Sequence, residues 1–121
     1  MAMNGLFDAT TDLLSKAVEY TEIRHRLLSN NIANLDTPNY KAVDLKFEDA
    51  LKAAIEGKEE EPRLVLYTSN GELRTDGNTV EIEEQIVKMI ENSVLHSGFV
   101  NLLKMKFRML ESAISGCLKA L

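Results

Sequence analysis

The sequence predicts a mainly α fold: long N- and C-terminal helices pairing antiparallel in a coiled-coil-like manner, with a short helix and a small β-hairpin or loop insert between them. Three observations lead there. Apolar residues recur at spacings of three and four over both ends of the chain. Aromatic residues make up only 6% of it and Pro occurs twice, so the residues that pack and punctuate a compact β-domain are scarce. With 121 residues in total, there is room for one module and little else.

The N-terminal helix is expected over residues 6–34. Phe7, Leu14, Val18, Leu28 and Ile32 fall on one 3-4 repeat, with Thr11, Thr21 and His25 at its polar positions. No Gly or Pro interrupts it, and Asp8 and Asp12 suit the positive end of the helix dipole.

The C-terminal helix is expected over residues 80–121. Ile82, Ile86, Met89, Ser93, His96, Val100, Leu103, Phe107, Leu110, Ile114, Cys117 and Leu121 alternate at spacings of four and three. Only Ser93 and His96 break this seam, and Cys117 reads as a small buried hydrophobe on it. Leu95, Phe99, Leu102 and Met109 form a second apolar stripe. A helix with two apolar stripes has more than one partner to satisfy.

Residues 35–79 form the insert. Val43, Phe47, Leu51 and Ile55 suggest a short amphipathic helix, with Asp44 as N-cap and Gly57 as its stop. A charged link, Lys58 to Pro62, follows. Leu64–Tyr67 and Glu72–Thr75 flank Asn70-Gly71, a pair that favours the tight turn of a hairpin. Asn78 or Thr79 is placed to cap the C-terminal helix.

Sliding the two helices until their polar interruptions coincide gives a definite register. It sets Leu14 near Phe107, Val18 near Leu103, Leu28 near Ser93 and Ile32 near Met89. It also brings His25 beside His96 as a polar layer that would fix the pairing.

Composition excludes several functions. There are 19 acidic and 14 basic residues, for a net charge of −5, whereas a protein that binds phosphate backbones needs a basic face. One Cys excludes an intramolecular disulfide framework. Two His, no HExxH, no CxxC, no Gly-rich phosphate loop and no GxSxG leave no catalytic, metal or cofactor motif. No stretch approaches the ~20 apolar residues that span a bilayer, and the N-terminus has no basic region of a cleaved secretory signal. The expectation is a non-enzymatic chain with no direct membrane insertion and no nucleic-acid partner.

The most informative segment follows the first helix. It contains Asn30, Asn31, Ala33, Asn34, Thr37, Pro38, Asn39, Tyr40 and Lys41. Pro38 cannot continue a helix and presets the second position of a turn. Asn39 tolerates the positive φ that the third position of a type II turn requires.

This segment resembles the signature of the bacterial flagellar rod and hook proteins, Asn-Asn-hydrophobic-Ala-Asn-x-x-Thr-Pro-Gly-Tyr followed by Lys or Arg. Only Asn39, where Gly is usual, departs from it, and Asn is the next-best residue for a left-handed conformation. Asp44–Leu51 and Thr75–Gln85 resemble the corresponding stretches of the short proximal-rod members. The resemblance implies a structural subunit that assembles with copies of itself and other rod proteins into a hollow, torque-transmitting shaft across the periplasm. It implies neighbours at the rod base, namely the adaptor FliE and membrane-ring components. It also implies delivery by the flagellar type III export apparatus without a cleaved signal. A cytoplasmic helical adaptor or secretion chaperone is the alternative that the residues alone leave open.

Overall fold

A computed structural model describes residues 8–58, 64–66 and 77–121. Helix α1 spans Ala9–Ala33, strand β1 Val43–Leu45, helix α2 Phe47–Ile55, strand β2 Leu64–Leu66 and helix α3 Ile82–Lys119. The expected Leu6 and Phe7 turn of the first helix lies outside the described residues.

Each helix end has a local cause. Asp8 caps α1, its carboxylate accepting from the Thr11 backbone N–H at 2.8 Å and the Thr11 hydroxyl at 2.9 Å. Helix α2 stops at Gly57, whose φ of 73° lets the Gly57 and Lys58 N–H groups turn back to the carbonyls of Ala54 and Ala53.

Two expected caps are corrected. Asp44 does not cap α2: the N-cap is Lys46, without a side-chain hydrogen bond, and Asp44 and Val43 belong to β1. The Asp44 carboxylate is held elsewhere, by Arg24. Neither Asn78 nor Thr79 caps α3, which starts from Glu81. Both side chains are committed to the loop that follows α1.

The strand at Leu64–Leu66 forms, and its described neighbour is β1. The two run antiparallel, with Val43 opposite Leu66 and Leu45 opposite Leu64. The Asn70-Gly71 turn and the 72–75 strand expected from the sequence lie outside the described residues.

Helices α1 and α3 pair antiparallel. As position along α1 falls from Asn31 to Thr21 to Asp8, the partner in α3 rises from Gln85 to Asn92 and His96 to Lys106. The contact face differs from the one the 3-4 pattern suggested. The buried residues of α3 are Gln85 and Asn92, next to the expected seam positions Ile86 and Ser93. Ile86, Phe107 and Ile114 are exposed, while Met89, Val100, Leu103 and Leu110 are half-buried. The helix is therefore turned by about half of the 100° per-residue step, so that polar side chains meet α1.

The register is corrected as well. Position 21 faces His96 and position 31 faces Gln85, about one helical turn from the apolar-seam alignment. The reason is hydrogen bonding. Gln85 and Asn92 are 2% and 1% exposed, and a buried amide without a partner costs roughly 1–3 kcal/mol. In the observed register Gln85 accepts from Asn31, and Asn92 donates to the Thr21 carbonyl at 2.8 Å. The His–His layer does not form. His96 Nδ1 meets Thr21 Oγ1 at 2.9 Å, while His25 is exposed along the same trough. Because the Thr21 hydroxyl also donates to the Val18 carbonyl at 2.7 Å, the shared proton belongs to His96 Nδ1.

The small apolar core lies where the insert meets both helices. Tyr20, Leu45, Phe47 and Ala50 are its buried members, with Ile23, Leu27, Leu51, Ala54 and Phe99 packed around them. The Phe47 and Phe99 ring centroids are 6.0 Å apart. Beyond this core α3 outruns α1. Residues 111–121 are all exposed, including Cys117, contrary to the buried position expected for it.

Candidate functional site

The signature turn is built by the residues that the sequence singled out. Helix α1 ends at Ala33, itself exposed, and the Asn34 N–H reaches the carbonyls of Asn30 and Asn31. Asn34 Nδ2 donates to the Asn30 carbonyl at 2.8 Å, and Asn34 Oδ1 accepts from the Thr37 hydroxyl at 3.0 Å. The Tyr40 N–H donates to the Thr37 carbonyl at 3.3 Å, and Asn39 has φ 60°. These are the closing bond and the positive third-position φ that a type II turn at Thr37-Pro38-Asn39-Tyr40 requires. Pro38 is exposed at its corner.

Asn31 is the hub beneath this turn. It is 1% exposed, and its amide makes four hydrogen bonds. Nδ2 donates to the Val43 carbonyl at 2.7 Å and to Gln85 Oε1 at 2.9 Å. Oδ1 accepts from the Val43 N–H at 3.0 Å and the Tyr40 hydroxyl at 3.3 Å. Asn30 reaches the same hydroxyl from the exposed side at 3.4 Å. One side chain thus ties α1 to β1, the turn and α3.

A second hub, Asn78, comes from 47 residues further along the chain than Asn31. Asn78 Nδ2 lies 2.8–3.0 Å from the carbonyls of Asn34, Leu35 and Thr37, and Asn78 Oδ1 accepts from the Val80 N–H. Thr79 follows, its N–H donating to the Tyr40 carbonyl and its hydroxyl accepting from the Ala42 N–H. Gly77 has φ 73°, and a Cβ there would stand 2.5 Å from Asn39 Oδ1. Lys41 Nζ donates to the Gly77 carbonyl. The Gly77-Asn78-Thr79 stretch is thus seated on the α1 turn, and it forms one structural unit with the signature segment.

Sequence reasoning missed an ionic cluster below the turn. Arg24 grips Asp44 with two bonds, at 3.0 and 3.2 Å. Lys88 stands 3.7 Å from the same carboxylate and 3.0 Å from Glu84. The Asp44 side chain is 4% exposed. No periodicity argument could find this cluster, because its members come from three separate elements. At the far end Lys106 pairs with Asp8 at 2.7 Å. That ion pair first, then the Thr11 N–H, lower the Asp8 carboxyl pKa to about 2. Burial raises the Tyr20 hydroxyl pKa, with nearby Glu19 adding to the shift.

Outside this framework α3 presents large apolar side chains to solvent. Ile86, Val87, Ile90 and Val94 are 46–68% exposed on the face away from α1, and Met109, Ile114 and Leu118 are 52–65% exposed further on. The described helices hold no span long and apolar enough to cross a membrane. Among the described residues no group of three or more His, Cys, Asp or Glu side chains is placed to hold a metal ion.

Two long antiparallel helices joined over a signature turn, with apolar faces left outside, define a structural subunit of the flagellar rod class. Residues 23–41 match the family described as flagella basal body rod protein, a span that runs from mid-α1 through the turn to Lys41. The chain is 30% identical to the flagellar basal body rod protein FlgB of Aeromonas hydrophila, over 95% of this chain and 94% of that one. It is 30% identical to FlgB of Aquifex aeolicus, over 87% and 92% of the two chains. With FlgB of Bacillus subtilis the identity is 26%, over 93% and 98%. The chain belongs to the FlgB family of flagellar basal body rod proteins and is a structural subunit of that rod.

Proposed function

We propose that the chain is a proximal-rod subunit that packs with copies of itself and other rod proteins into a hollow helical shaft transmitting torque, and that it performs no catalysis. The observation that carries this reading is the apolar surface of α3. A chain this short that leaves Ile86, Val87, Ile90, Val94, Met109, Ile114 and Leu118 at 46–68% exposure has faces suited to neighbours. Burial of such surface contributes about 25 cal/mol per Å².

The division of labour follows the residues. The turn at Asn30–Lys41 and the seam residues Leu28 and Ile32 hold the subunit's own shape. Ile86, Phe107 and Ile114, with the exposed flanks of Met89, Val100, Leu103 and Leu110, pack axially. Leu14 and Val18, half-buried on α1, complete that wall. Phe7, assigned to the same seam from its sequence position, lies outside the described residues. The whole chain acts as one rod-type module. The rod-base adaptor FliE and the membrane ring are its neighbours at the base, and the type III export apparatus delivers it without a cleaved signal.

The seam between the helices is polar in part, through Asn31–Gln85, Thr21–Asn92 and Thr21–His96. Deleting the gene in the bacterium of origin tests the assignment. Rod assembly should stop before a shaft forms and return with the intact gene. Normal rods in the deletion strain would overturn it.

A further inference from the structure

The trough between α1 and α3 holds acceptors that the chain itself does not use. Asn92 lines it and is 1% exposed; its Nδ2 donates to the Thr21 carbonyl, but its Oδ1 has no hydrogen-bond partner. A buried carbonyl left unpaired is uncommon in a folded protein and costly. His96, one turn further along the same face of α3, keeps its proton on Nδ1 against Thr21 and so presents the lone pair of Nε2. Residues so spaced have Cβ atoms roughly 5–6 Å apart, close enough for one donor group to bridge them. Glu22, next to Thr21 on the facing helix, adds a carboxylate to the rim. It takes part in none of the ion pairs among the described residues, although Arg26 lies one turn away.

Three acceptors, one of them anionic, match a primary ammonium, which carries three N–H donors on one small charged head. Every lysine of this chain lies among the described residues and none lines the trough, so the ammonium comes from another molecule. The surroundings indicate which kind. Ser93 and Ser97, on the trough wall, also line a shallow apolar hollow with Met89, Ile90 and Val94. The polar trough and the apolar shelf are thus continuous across two small side chains. A free polyamine leaves that shelf uncovered. A lysine on a helix covers it, with its aliphatic stem and with the apolar residues three and four positions away.

We propose that the trough receives a lysine side chain from an amphipathic helix of a neighbouring subunit. The ammonium bonds Asn92 Oδ1, His96 Nε2 and the Glu22 carboxylate, and the helix face around it packs on Met89, Ile90 and Val94. The inference rests on the rod reading above and names the chemistry of one of its contacts.

Zero-length crosslinking in assembled rods tests the contact. Basal bodies are isolated from the bacterium of origin with a tagged chain in place of the native one. They are treated with a carbodiimide, which joins a carboxylate to an amine touching it and leaves a guanidinium uncoupled. The expected product, identified by mass spectrometry, is Glu22 amide-linked to a lysine of another chain that has apolar residues three or four positions away on both sides. Glu22→Gln should abolish it. Asn92→Leu removes the buried acceptor, and Ser97→Trp fills the trough from an exposed position off the helix seam. Each should lower the yield per assembled chain by about fivefold or more. Where Asn92→Leu does not assemble, Ser97→Trp decides.

A tagged chain present in the basal bodies with no Glu22–lysine link overturns the contact and leaves the rod reading intact. A link that Ser97→Trp leaves unchanged overturns it too, since the lysine then reaches Glu22 from outside the trough. Glu22 coupled to a free amine, or to a lysine in a wholly polar stretch, has the same consequence. A tagged chain absent from the basal bodies overturns the rod reading and this contact with it.

Discussion

Asn31 and Val43 exchange two hydrogen bonds, Asn31 Nδ2 to the Val43 carbonyl at 2.7 Å and the Val43 N–H to Asn31 Oδ1 at 3.0 Å. A side-chain amide here does what a neighbouring strand would do, and it lets a three-residue strand leave the helix end with its backbone satisfied. Asn31→Ala removes both bonds and orphans Gln85, so it should lower stability by about 2–4 kcal/mol. Urea unfolding followed by far-ultraviolet circular dichroism measures it. Asn30→Ala, whose side chain touches only the turn from the exposed side, should change little in the same assay.

The pair of glycines with the same φ makes a controlled comparison. At Gly57 an added Cβ meets nothing within 4 Å, so Gly57→Ala should cost only the left-handed conformation, about 1 kcal/mol. At Gly77 the same conformation is combined with a 2.5 Å approach to Asn39 Oδ1. Gly77→Ala should therefore cost about 1–2 kcal/mol more, as the turn must shift. Equal losses for the two variants would show that the loop around Asn78 yields freely.

The ionic cluster predicts an asymmetric response. Arg24→Met takes the two-bond partner from a carboxylate that is almost fully buried, and should cost about 3 kcal/mol. Lys88→Met removes a cation 3.7 Å away and should cost less, because Arg24 still satisfies Asp44. Thermal unfolding of the two variants beside the parent chain gives the order.

Acid should release the far end of the helix pair. The Asp8 carboxyl is lowered from 3.8 to about 2, first by Lys106 and then by the Thr11 N–H. A lowered pKa in the folded chain means stabilisation that is present above 3.8 and is lost as pH falls through about 2. The stability difference between the parent and Asp8→Asn should therefore be constant above about pH 5 and shrink towards zero near pH 2. Because the pair is exposed, salt should shrink it as well. A difference that persists unchanged at pH 2 would rule out the ion pair as its source.

Much of the architecture was legible in the sequence for local reasons. The helix in residues 9–33 follows from uninterrupted 3-4 periodicity, its start from Asp8, the stop of α2 from Gly57, and the turn from Pro38 and Asn39. The family signature was legible too, because the residues that make a turn act on their own neighbours. Reading Asn78 and Thr79 as helix caps went wrong because polar side chains near a helix start can serve any nearby backbone. Here that backbone belongs to residues 34–42, brought close only by the fold.

By itself the sequence determined two long helices, a defined crossover and the family to which the chain belongs, since periodicity, caps and turn residues act over a few positions. The tertiary structure alone decided which face of α3 meets α1. Apolar side chains are interchangeable at that contact, and several rotations and registers would bury them about equally well. Gln85, Asn92 and His96 are not interchangeable, because each meets a particular partner at hydrogen-bonding distance. Directional polar contacts select one alignment, and that choice leaves Ile86, Ile90 and Val94 exposed.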